Sequence, residues 1–236
     1  NVQQTIGRGS AGTDINAIPM SAIQHIEVLR DGAAAQYGSD ALAGVINIVL
    51  KSQVQETQLS TTVGTTSEGD GDLISGSANT GVKLGSDGGY LNLSLEGRRR
   101  GETNRAGPDS LRVSPPRVTQ RIGDSLAKDA YLWFNAAVPM DQDSELYAFG
   151  GASRRTGDSG GFFRSAQNPK ENRVVTALYP NGFLPNIVTT VKDASFVAGY
   201  RRDLVNEWKF DMSLAYGQSE LAFHERNSVN VSYWYE

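Results

Sequence analysis

Few residues in this 236-residue chain have types and spacings that could do chemistry, and the most conspicuous of them lack partners. Gly157-Asp158-Ser159-Gly160-Gly161 frames a serine as a hydrolytic nucleophile is framed. A nucleophilic serine needs a histidine base that is itself held by a carboxylate. Only His25 and His224 are present, and His25 sits between Gln24 and Ile26 in an apolar-rich stretch. The motif therefore reads as the glycine-rich tip of a loop. Gly7-Arg8-Gly9-Ser10-Ala11-Gly12 fits G-x-G-x-x-G, but a dinucleotide site also needs a buried strand before the glycines and a helix opening at them. Pro19 cuts the following segment short, so this too reads as a loop. The two histidines have no zinc-ligand spacing, and the acidic residues form no EF-hand loop. With no cysteine, disulfides, thiolate metal sites and thiol catalysis are excluded. The expectation is a protein that is not an enzyme and holds no metal or cofactor.

Composition narrows the remaining classes. There are 22 Lys+Arg against 26 Asp+Glu, a formal net charge of −4, which argues against nucleic acid as a partner. Hydrophobic residues make up 39%, below the ~45–50% of an ordinary soluble domain. No apolar run approaches the ~18–20 residues of a transmembrane helix. A β-barrel stays open, because its strands alternate apolar and polar residues.

Two zones follow one another. In residues 1–51, Ile18 to Ile23 predicts a short helical segment with Pro19 in its first turn and Asp14 or Ser21 as cap. A strand-like run, Ile26-Glu27-Val28-Leu29, comes next, then a turn at Arg30-Asp31-Gly32. A short helix is expected over Ala33–Gly38, and a β-branched strand over Val45–Leu50. From about residue 55 the pattern is all β. Leu91, Leu93 and Leu95 alternate with Asn92, Ser94 and Glu96; Ala130, Leu132 and Phe134 alternate with Tyr131, Trp133 and Asn135. Period two predicts seven strands near 57–65, 73–84, 89–98, 128–138, 144–155, 194–202 and 207–223. Short connections alternate with long polar ones at 99–127 and 156–193, the arrangement of an outer-membrane barrel with short periplasmic turns and long outer loops. Tyr90, Tyr131, Trp133, Tyr147, Phe149, Tyr200, Trp208 and Tyr216 are expected to form girdles at the lipid–water boundaries.

Residues 14–51 resemble the C-terminal half of the plug domain of TonB-dependent outer-membrane receptors. Three blocks carry the resemblance: Ile18-Pro19, Ile23 and Ile26-Glu27-Val28-Leu29-Arg30; Tyr37-Gly38-Ser39; and Ala43-Gly44-Val45-Ile46-Asn47-Ile48. Asp31-Gly32 stands where many relatives have Gly-Pro. The resemblance implies a mainly β fold, part of a large antiparallel transmembrane β-barrel of about 22 strands, preceded by the end of a small α/β plug. It implies a boundary with residues 1–52 in the plug and 53–236 in the barrel. The chain starts at Asn1 and stops within Tyr233-Trp234-Tyr235-Glu236, so a piece of a longer polypeptide is expected.

What the family does becomes the functional expectation. It is a bacterial outer-membrane receptor that binds a scarce nutrient (a siderophore–iron complex, cobalamin or an oligosaccharide) and imports it with energy from TonB, which contacts a plug segment upstream. Phe162, Phe163, Arg164, Arg173 and Tyr179 in the longest loop are the expected ligand contacts, since aromatic rings and guanidinium groups suit a catecholate, a sugar or an anion. Glu27 and Arg30 are expected to pair with polar residues of the strands, such as Glu96, Lys209 or Asp211. Arg98, Arg99, Arg100, Arg154 and Arg155 at outward strand ends are expected to face lipopolysaccharide phosphates. The alternative reading is a soluble β-rich module that binds carbohydrate or another ligand.

Overall fold

The structure, a computed structural model, describes residues 2–4, 11–30, 44–167 and 173–234. The predicted helix over 33–38, the turn at Asp31-Gly32, the block Tyr37-Gly38-Ser39 and most of the Gly7–Gly12 motif lie outside these residues. The first zone holds two small antiparallel pairs: β1 (Val2–Gln4) with β2 (Ala11–Thr13), and β3 (Ile23–Arg30) with β4 (Gly44–Leu50). Between them the predicted helical segment resolves into two 3-10 turns, Ile15–Ala17 and Met20–Ala22. Asp14 caps the first turn by accepting the Asn16 N–H at 3.0 Å. Pro19 precedes the second turn with no side-chain cap. Each is a single three-residue turn rather than the expected helical segment.

The second zone is one seven-stranded antiparallel meander: β5 (Thr57–Gly64), β6 (Leu73–Leu84), β7 (Gly89–Arg100), β8 (Leu126–Pro139), β9 (Ser144–Gly160), β10 (Asn186–Asp203) and β11 (Lys209–Arg226). All seven predicted strands are present. β7 to β11 run further at their outward ends than alternation indicates. The long connections accordingly shrink to 101–125 and 161–185, and Gly157–Gly160 belong to β9 rather than to a loop tip. Ser159 there donates its hydroxyl to the Ile187 carbonyl, and no histidine hydrogen-bonds it among the described residues. Short turns at 85–88, 140–143 and 204–208 lie at one end of the sheet; the long connections and the segment after β11 lie at the other. The sheet is open, with β5 and β11 at its edges. No described helix is long and apolar enough to cross a membrane.

Register gives the two faces opposite character. Leu59, Ala78, Leu95, Leu132, Ala152 and Ala194 follow one another across six strands on one face. Gln58, Asn79, Ser94, Trp133, Gly151 and Ser195 do so on the other. The large hydrophobic side chains of the first face are exposed, among them Leu59, Val63, Ile74, Leu95, Leu132, Phe196, Met212 and Leu214. The polar face instead carries the first zone. There Asn79 donates to Asn92 Oδ1 at 2.6 Å and to Ser94 Oγ at 2.7 Å, all three buried. This is an inversion of a soluble sandwich, whose apolar face is the covered one.

The face assignment corrects the expected girdles. Tyr90, Tyr131, Trp133, Tyr147 and Phe149 all fall on the polar face, and Tyr131 and Trp133 are buried. Only Tyr200 and Tyr216 of that set lie on the apolar face, while Trp208 sits exposed in a turn. The inward rings fill space left by small cross-strand neighbours. Trp133 faces Gly151, where a Cβ would overlap the indole.

Candidate functional site

The site begins at the contact between the first zone and the polar face. Asp14 spends Oδ1 on capping its own turn, and Oδ2 accepts from Arg155 Nη2 of β9 at 2.5 Å. The same Nη2 donates to Asp193 Oδ2 of β10 at 2.6 Å. One guanidinium is thus shared by a carboxylate from each zone. The side chains are 15% (Arg155), 14% (Asp14) and 3% (Asp193) exposed, so these charge-assisted bonds are shielded from water. Burial by itself would push the Asp14 carboxyl up, but the bonds from Arg155 and Asn16 outweigh it and hold the group below its ordinary value.

Backbone groups make a second anchor. The Ser21 N–H donates to Glu96 Oε2 of β7 at 3.0 Å. The segment after β4 then crosses the polar face, with Asn135 donating to the Lys51 carbonyl and Asn92 to the Gln53 carbonyl, each at 3.1 Å. Gln55 N–H bonds the Gly81 carbonyl at 2.8 Å. A Cβ on Gly81 would overlap the Gln53 carbonyl oxygen, so only glycine admits this crossing.

The predicted contact residues Glu27 and Arg30 are placed differently. Both are exposed on β3. Glu27 accepts from Asn47 at 2.7 Å and meets His25 Nε2 at 3.2 Å, within the β3–β4 pair. Arg30 has no ion pair among the described residues. Asp14, Ser21 and Arg155 take the connecting role. Glu96, one of the strand residues expected to pair with Glu27 or Arg30, bonds the Ser21 backbone N–H instead. A backbone N–H leaves no mark in residue type, so the sequence carries no signal for it.

At the other end the loops knit together. Arg105 forks onto Asp70, with Nη1 to Oδ2 at 2.6 Å and Nη2 to Oδ1 at 2.9 Å, joining loops 101–125 and 65–72. Arg105, then Thr66 and the Asn104 N–H, hold the Asp70 carboxyl well below the usual carboxylate range. Arg112 and Arg117 place their guanidinium carbons 6.0 and 5.6 Å from the centre of the Phe163 ring. Arg117 also donates to the Asn181 carbonyl at 2.7 Å, tying loops 101–125 and 161–185 together. Tyr179 packs on Phe183 with ring centres 4.4 Å apart.

The five expected ligand contacts therefore separate. Phe163, 7% exposed, and Tyr179 are used inside the loop structure, whereas Phe162 is 79% exposed. Arg164 and Arg173 come together on a cavity of about 440 Å³ that also touches Phe183 and Glu225. No group of three or more His, Cys, Asp or Glu side chains arranged to hold a metal occurs among the described residues.

Comparison with known proteins finds similarity over part of the chain. Residues 1–45 match the model described as "TonB-dependent Receptor Plug Domain". The vitamin B12 transporter BtuB of Photobacterium profundum is 42% identical over 65 residues, which are 27% of this chain and 11% of that protein. A probable TonB-dependent siderophore receptor, PirA of Acinetobacter baumannii, is 54% identical over 44 residues, 19% of this chain and 6% of that protein. The vitamin B12 transporter BtuB of Vibrio cholerae is 37% identical over 82 residues, 35% of this chain and 13% of that protein. The matched segments thus span only about a tenth of the length of these curated relatives. No solved structure gives a significant match.

Proposed function

We propose that this chain, a segment of a TonB-dependent receptor, supplies the C-terminal part of the plug (1–52) and the first strands of the transmembrane wall (53–236) of an outer-membrane nutrient transporter. One observation carries the reading: the exposed face of the sheet is apolar, and the covered face is polar and holds the plug. Hydrocarbon satisfies the first face, and a wet lumen filled by a plug satisfies the second. Seven strands leave two unpaired edges, which further strands of a barrel of about 22 close. Glu27 and Arg30, which bond none of β5–β11, meet that remaining wall.

The receptor takes up a scarce nutrient, a siderophore–iron complex, cobalamin or an oligosaccharide, with energy that TonB delivers through the plug. Phe162 and the Arg164–Arg173 cavity contact the ligand, and Phe163 and Tyr179 set the loop that carries them. The Arg155 bridge holds the plug until TonB pulls. The test is uptake of labelled cobalamin, ferric siderophore and oligosaccharide by a strain lacking the full-length receptor gene, with and without complementation. Loss of one of the three, restored by the gene and abolished again without TonB, is the expected result. Unchanged uptake of all three, with the protein in the soluble periplasmic fraction, would overturn the proposal.

A further inference from the structure

The five arginines expected to form an outer belt divide between the two faces. Arg98 points to the polar face and pairs with Asp129 at 2.5 Å, Arg155 bridges Asp14 and Asp193, and Arg100 lies 3.6 Å from Asp124. Arg99 and Arg154 alone lie on the apolar face, and each meets a lysine there. Arg99 is directly opposite Lys128, and Arg154 directly opposite Lys192. Like charges facing each other across strands are destabilising in water. Arg99, Lys128 and Arg154 form no ion pair among the described residues; Lys192 pairs with Glu220 at 3.1 Å. Four cations on four neighbouring strands, roughly 14 Å across at ~4.8 Å per strand, leave an excess of three positive charges.

The stripe sits at the edge of the apolar band. On the same face as Arg154 and Lys192, a shallow groove of about 490 Å³ has an apolar floor of Leu95, Ala130, Leu132, Ala152 and Ala194. Its depth comes from the alanines, with Ala152 and Ala194 directly opposite each other between the longer side chains of Leu132 and Gln218. Cations beside a hydrocarbon groove are the complement of one kind of molecule, an anionic head on an acyl chain.

We propose that Arg99, Lys128, Arg154 and Lys192, with the groove below them, seat a phosphate-bearing lipid of the outer leaflet, the lipid A part of lipopolysaccharide. Its phosphates neutralise the facing cations, and one acyl chain lies over the alanines. Guanidinium forks and ammonium groups both serve phosphate, the former in a fixed bidentate geometry. The inference rests on the membrane reading above, because the groove meets lipid only if the apolar face does.

The full-length receptor, purified in detergent and delipidated, is incubated with bisphosphorylated lipid A, with its dephosphorylated form, or with inorganic phosphate, and bound lipid is counted by native mass spectrometry. Two variants are compared with wild type, R154Q/K192Q and R99Q/K128Q; the second leaves the partner of Glu220 in place. Expected is retention of bisphosphorylated lipid A by wild type that falls at least tenfold in either variant, with the dephosphorylated form held weakly by all three. Equal retention by wild type and both variants would overturn the seat, as would retention of the dephosphorylated form as strong as that of the bisphosphorylated one, or inorganic phosphate retained as strongly as the lipid. Fractionation separates this from the parent reading. A receptor that still sediments with outer membranes while failing the lipid test sinks the seat alone; one that never enters the membrane fraction sinks both.

Discussion

Arg155 is the residue on which the contact between the two zones turns. It is the only described side chain that bonds carboxylates of both zones, Asp14 and Asp193. Removing the guanidinium leaves two shielded carboxylates facing each other, the uncompensated state that makes breaking such a pair cost a few kcal/mol. Arg155→Gln in the full-length receptor should therefore speed amide hydrogen exchange over residues 14–22 by roughly 10- to 100-fold, corresponding to about 1.4–2.8 kcal/mol, while β8 and β9 stay protected. Arg30→Ala, lacking such a pair, should change the same amides by less than about twofold; a reversed order would move the latch to Arg30. The pH dependence has a definite sign. Because the folded Asp14 carboxyl lies below its ordinary value, its stabilisation is full at neutral pH and is lost as pH falls through the folded value, fading only below about pH 4. Exchange over 14–22 should be flat from pH 5 to 8 after correction for intrinsic rates, and an acid-induced loosening below pH 4 should vanish in Asp14→Asn. The bridge itself is not legible in the sequence. Residue types mark Asp14 as a helix cap and Arg155 as a rim cation, and both readings are local. The contact depends on bringing together three segments, with Arg155 lying 141 residues from Asp14 and 38 from Asp193.

At the level of elements, alternation reveals more than any motif. All seven strands are readable because Leu91–Leu95, Ala130–Phe134 and Phe210–Leu214 change face at every step. Their outward ends are not. Thr156 to Gly160 and Asn186 to Asp193 are polar or mixed, and they are strands because neighbouring backbones bond them in register, not because their side chains alternate. Nor does alternation say which face is covered. Tyr131 and Trp133 visibly oppose Leu132, yet aromatics favour both a lipid boundary and a plug contact, and only the seating of the first zone decides. Face identity makes a sharp mutational contrast. Leu132→Arg, near the middle of the apolar band, should cost about 2–4 kcal/mol in the membrane-inserted receptor. Ser60→Arg, on the polar face of the edge strand β5, should cost under about 1 kcal/mol. Denaturant titration of the reconstituted receptor measures both, and equal costs would contradict the assignment of faces.

The whole molecule divides into an inside and an outside. Composition fits both a polar soluble protein and a barrel, and the resemblance of residues 14–51 to a plug points to the second. The fold supplies the physical reason: the apolar face is open across the meander, while buried asparagines, Arg155 and Glu96 line the face that holds the first zone. Cysteine is absent from this chain, so each cysteine introduced here is unique within it. Single cysteines at Leu95, Leu132 and Leu214, and at Ser60, Ser94 and Ser213, carry nitroxide labels in the full-length receptor in lipid nanodiscs. Collision rates with molecular oxygen, which concentrates in hydrocarbon, are compared with those of a water-soluble nickel complex. Oxygen-dominated relaxation is expected at the three leucine positions, and low oxygen exposure at the three serines. Nickel-dominated relaxation at Leu95, Leu132 and Leu214 would contradict it.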